Sequence, residues 1–144
     1  MKKLTLTALM ALCTASVLFS PTASAEGDAS ALTVRPAGYK PREGDAKLGE
    51  RLFHDPKLST NGMSCATCHA NHASYSDSFA KPYPHTVVMA RDQLGRKQVY
   101  LDEMIQACMV MPMAAKPLPW DSKELAALVA FVEQEQRTFK PTKQ

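Results

Sequence analysis

Beyond residue 25 the chain has no apolar run of the roughly 20 residues needed to cross a bilayer, so the mature part carries no membrane span. It has no clustered basic stripe, the footprint of a nucleic-acid partner. It has no second C-x-x-C pair, which a zinc site would need. No βαβ pattern surrounds the pair it does have, against a thioredoxin-like disulfide. No credible strand and no acid–base constellation stand out, so an enzyme ranks last among the functions considered.

What is present starts with the N-terminus. Lys2 and Lys3 precede an apolar run from Leu4 to Phe19, then Pro21 and the small-residue pattern Ala23-Ser24-Ala25. We read 1–25 as a secretory signal cleaved before Glu26. Lipidation at Cys13 fits poorly, because bulky Leu12 precedes it and the apolar run would be cut in half. Cleavage removes two lysines and no acid, taking 17 basic side chains to 15 against 14 acidic. The basicity of the whole chain thus belongs partly to its targeting segment. The expected location is the periplasm.

Cys65, Cys68 and Cys108 remain, an odd number for an exported protein. Cys65 and Cys68 fall in 64-SCATCHANH-72. C-x-x-C-H is the attachment pattern for c-type haem. Two intervening residues let one short helical turn present both sulfurs to two vinyl groups on one porphyrin edge. The next residue then reaches the iron. Cys65 and Cys68 are therefore read as covalent anchors of one haem c, and His69 as the proximal ligand.

Residues 26–43, with Gly27, Pro36, Gly38 and Pro41, read as a flexible arm, and 44–144 as the domain. Asp45 is placed to cap a helix carrying Leu48, Gly49, Leu52 and Phe53, stopped by Pro56. A short helix is expected around 84–92. Leu101, Met104, Ile105 and Cys108 recur at i, i+3, i+4 and i+7, one apolar helical face. Pro112, Pro117 and Pro119 break the chain over 110–120. A last helix, with Asp121 and Glu124 as a capping box, carries Leu125, Leu128, Val129 and Val132 and ends near Arg137. The expected fold is all-α, three to four helices around one haem. About 100 residues make a small core, to which haem adds apolar bulk.

This pattern resembles a monohaem class I cytochrome c over roughly residues 44–137. That family opens with a helix bearing G-x-x-x-F/Y, here Gly49 and Phe53, and closes with one bearing L-x-x-Y/F/W, here Leu128 and Phe131. The resemblance implies that these helices cross, with the glycine allowing close approach to the aromatic ring. Residues 48–69 also resemble a segment of bacterial dihaem peroxidases, but a single haem motif does not carry that activity.

The distal ligand stays open between Cys108 and a methionine. The resemblance implies a methionine from the loop before the last helix, and 109–113 offers Met109, Met111 and Met113. Met113 has the usual distance from Phe131; Met111 has the Met-Pro pair. The stretch 105–131 is also similar to haem domains of thiosulfate-oxidising cytochromes, several of which use the corresponding cysteine. Small His/Cys-ligated cytochromes are similar too. Cys108 is favoured, with Met113 as the alternative. A buried structural thiol and core-filling methionines are the plain alternatives. His72 follows His69 too closely to reach across, and His54 and His85 read as structural or surface residues.

Three functions follow. The first is a periplasmic electron carrier with a redox-protein partner, with Lys81, Lys97, Lys116 and Lys123 as candidate docking charge. The second is a low-potential haem protein binding NO or CO. The third is a haem subunit of a sulfur-oxidising complex, paired with a second cytochrome, with Arg91, Arg96 and Lys116 as candidate cations. Trp120 is placed either against the haem or as an anchor of the last helix.

Overall fold

A computed structural model describes residues 29–142. The expected signal, 1–25, and Cys13 lie outside the described residues. The chain is helical: α1 (Ala29–Leu32), α2 (Ala46–Phe53), α3 (Cys65–His69), α4 (Val88–Leu94), α5 (Leu101–Val110) and α6 (Lys123–Thr138). Among the described residues there is no strand, only an isolated antiparallel bridge between His85 and Val99. None of these helices is long and apolar enough to cross a membrane.

The Asp45 side chain accepts from Lys47 N and starts α2, as its sequence position implies. Gly49 and Phe53 are the buried residues of that helix. They face α6, where a Cβ on Gly49 would overlap the Ala127 carbonyl oxygen. Phe53 meets Phe131 edge-on, with centroids 5.1 Å apart. The expected crossing of first and last helices is therefore present. Phe53, Phe79, Leu101, Leu128 and Val132 form the buried core beside it.

Two expectations shift. The cap of α6 is Ser122, whose side chain accepts from Leu125 N, and not Asp121. The cap needs extended backbone one residue before the first helical turn, and that place falls to Ser122 (φ −72°, ψ 148°). The helix expected around 84–92 runs over Val88–Leu94 and ends on Gly95 in the left-handed region at φ +66°.

Within residues 29–43, read from sequence as a flexible arm, Thr33 and Arg35 are held against the start of α5 and the chain before it like a strap. Thr33 is fully buried. The Arg35 guanidinium forks onto Asp102, with Nε–Oδ1 and Nη2–Oδ2 both at 2.9 Å. It also lies 3.5 Å over the Tyr100 ring. Glu103 accepts from Arg35 N at 3.0 Å and lies 3.5 Å from Arg96 Nη1. Asp102 and Glu103 occupy the first turn of α5, where acids suit the helix dipole. Both are buried, so they require these cationic partners.

Candidate haem site

The CATCH motif is itself a helix, α3. Ser64 N donates to Thr67 Oγ1 at 2.9 Å, using one spacer residue of the motif to start the turn. One turn of helix then sets Cys65, Cys68 and His69 along one wall of a cavity. Phe53, Phe79, Leu101, Met104, Ile105, Leu128 and Val132 supply half of the remaining wall residues. Its largely apolar lining suits a flat apolar cofactor held at the two thiols.

His69 is held in one orientation. Its Nδ1 lies 3.1 Å from the Ala73 carbonyl oxygen, which can only accept. The proton therefore sits on Nδ1 and leaves Nε2 with a free lone pair, the arrangement common to metal-binding histidines. Burial lowers the His69 pKa, which also favours the neutral ring. Tyr75 stacks flat on the imidazole at 4.1 Å and on Phe79 at 3.8 Å, fixing the ring from one side. Asn71, His72 and Ser74 adopt positive φ (55°, 64° and 57°) in the tight return that brings Ala73 O to His69.

The apolar stripe of α5 faces this cavity: Leu101, Met104, Ile105 and Cys108 all line it. Burial pushes the Cys108 thiol up to about 12 and the Cys65 thiol up to about 11. Met113 lines the cavity too and is 3 % exposed. Its loop is pinned from both sides. Thr60 Oγ1 donates to Ala114 O at 2.6 Å and Asn61 Nδ2 to Pro112 O at 2.8 Å. Buried Gln106 bonds both backbone groups of Leu118, at 2.6 and 2.8 Å. The remaining candidates are elsewhere. Met109 is buried outside the cavity wall, and Met111 caps α5 without lining it. His54 and His72 line a separate hollow near Phe131. Trp120 packs edge-on against Tyr39, with centroids 5.1 Å apart, and anchors the strap rather than lining the cavity.

A second chamber adjoins the first. His69, Tyr75, Phe79, Tyr83, Met104 and Cys108 line both. His85 lines the second alone, a placement that the sequence pattern did not signal. Arg91, Arg96 and Lys116, the candidate cations for a sulfur substrate, line neither. Arg91 pairs with Asp92 at 2.6 Å, and Arg96 is engaged with Thr33 and Glu103.

Residues 48–140 match the family described as SoxA/TsdA, cytochrome c domain. The chain belongs to that family. No curated protein and no solved structure gave a significant match. A SoxA/TsdA-type cytochrome c domain carries covalently bound haem c, and a single CATCH motif fits one haem per chain. Such a domain carries electrons and works with redox partners. The cavity fits the group: two thiols and a poised imidazole stand on one wall, and apolar side chains form most of the rest.

Proposed function

We propose that this chain is an exported, periplasmic electron carrier in which Cys65 and Cys68 hold haem c through thioethers. His69 is the proximal iron ligand and Cys108 the distal one, with Met113 as the alternative. The observation that supports this reading is the convergence of all five side chains on one cavity. Bound haem supplies an iron that takes up and releases one electron at a time. The chain's part is to hold His69 in one tautomer and to keep water off the ring with Phe53, Leu101, Leu128 and Val132. Burial favours the Cys108 thiol, so as an iron ligand Cys108 would give its Sγ proton to solvent, a loss that a nearby positive metal charge would favour. A thiolate lowers the reduction potential, whereas a methionine thioether raises it.

A second reading is a low-potential haem protein that binds NO or CO once the distal sulfur leaves. The chamber beyond Cys108 supports it by offering space beside that ligand. A haem subunit in sulfur oxidation is supported by the family match alone, since the candidate cations line neither chamber.

Optical and EPR spectra of the oxidised protein, beside Cys108→Ala and Met113→Ala, test the ligand assignment. A low-spin thiolate signal lost only in Cys108→Ala upholds it. A near-infrared thioether band lost only in Met113→Ala makes Cys108 structural and the protein a higher-potential shuttle.

A further inference from the structure

His85 is 7 % exposed, and its Nε2 is a buried nitrogen with no hydrogen-bond partner. The ring is held firmly. Its Nδ1 lies 3.3 Å from Pro82 O, and its backbone exchanges hydrogen bonds of 3.3 and 3.1 Å with Val99. Tyr83 packs beside it, with centroids 4.2 Å apart. A fixed, buried, unpaired polar atom costs stability unless something absent from the protein alone completes it.

The arrangement of the two chambers identifies that partner. Cys65 and Cys68 line only the first chamber; His69 lines both; His85 lines only the second. In haem c the thioethers lie along one porphyrin edge and the two propionates hang from the opposite edge. A ring anchored at Cys65 and Cys68, with its iron at His69, therefore directs its propionate edge past His69 and away from the cysteines. The second chamber shares His69 with the first but neither cysteine, which suits that edge. Its wall is also the more polar one, with Ser74, Ser76, Ser78 and Gln93.

We propose that His85 Nε2–H donates a hydrogen bond to a haem propionate carboxylate. The proposal rests on the attachment through Cys65 and Cys68. Pro82 O can only accept, so Nδ1 carries a hydrogen as well, and the paired ring is an imidazolium. Burial of the ring and nearby Lys81 oppose that charge in the protein alone; the carboxylate offsets both. Asp92, the acid in this wall, is already paired with Arg91.

The test uses holoprotein with haem 13C-labelled at its propionate carboxyls, as wild type, His85→Phe and His85→Gln. Redox-difference infrared spectra and reduction potentials are compared. A labelled carboxylate band that moves in His85→Phe and largely returns in His85→Gln, whose amide can still donate, upholds the proposal. The potential should fall in His85→Phe, because an uncompensated carboxylate favours ferric iron. Unchanged carboxylate bands in both variants overturn it. Loss of the axial-ligand spectrum in His85→Phe also overturns it, by making His85 an iron ligand. The haemochrome spectrum of the same samples separates the premise: absence of two thioethers refutes the attachment, and this proposal with it. Two intact thioethers with unmoved bands refute the propionate contact alone.

Discussion

Replacing Gly49 with alanine tests the helix crossing on which the cavity is built. The added Cβ would overlap the Ala127 carbonyl oxygen and stand 2.7 Å from both Ala127 C and Phe131 Cβ. Backbone cannot swing aside as a side chain does, so the Cβ and the Ala127 carbonyl oxygen must part by about 1.5 Å to restore ordinary van der Waals contact. Overpacking of this kind costs about 1–3 kcal/mol. Loosening the edge contact between Phe53 and Phe131 adds about 0.5–1.5 kcal/mol. Alanine returns about 1 kcal/mol through its higher helix propensity. The net expectation is a loss of about 2 kcal/mol, or about 8 °C in Tm for a domain of this size. Thermal melts of the holoprotein, followed by far-ultraviolet circular dichroism and by haem absorbance, measure it. Glu50→Ala, an exposed change on the same helix, serves as the control and should leave Tm within about 2 °C. A Gly49→Ala protein that melts with the control would refute the close approach, and with it the rigid wall formed by Phe53 and Leu128.

Four further outcomes are expected. Arg35→Ala leaves buried Asp102 without its cation and should cost about 2–4 kcal/mol, below the full penalty because Arg35 is partly exposed, read from the urea midpoint. Gln106→Ala strands both backbone groups of Leu118 and should cost about 2–4 kcal/mol; it should also broaden the distal-ligand spectrum if Met113 binds iron. Ser122→Ala should cost about 1 kcal/mol and Asp121→Ala much less, a comparison of thermal midpoints that checks which residue caps α6. Cys68→Ala should leave one thioether, seen as a red-shifted haemochrome band with one vinyl still conjugated.

The helices were legible where one face is apolar throughout. Leu101, Met104, Ile105 and Cys108 announce α5, and Leu125, Leu128 and Val132 announce α6, because helical period alone brings such residues together. The CATCH turn was legible for a chemical reason, since its spacing matches two vinyl groups. The other face of α5 was not. Asp102 and Glu103 look like solvated acids locally, yet they are buried by Arg35 and Arg96, and Arg35 lies 67 residues before Asp102. Gln106 is similar: a polar residue in a helix gives no sign that its amide will hold a loop 12 residues on. His85 was read as structural because nothing in its neighbours shows a cavity. Only the assembled fold sets it on the chamber that Cys108 and Met104 also line.

The strap along α5 bears on the order in which this protein assembles. Thr33 and Arg35 stand near the beginning of the described chain, but their partners Arg96, Asp102 and Glu103 come more than 60 residues later. Closing so long a loop carries a large entropic cost before any contact rewards it. The crossing of α2 and α6 spans still more chain, since Gly49 must wait for Ala127. A chain emerging from its N-terminus thus makes its earliest residues wait for its latest. In that interval CATCH, whose capping bond from Ser64 N to Thr67 is local, is not yet enclosed by α5 and α6.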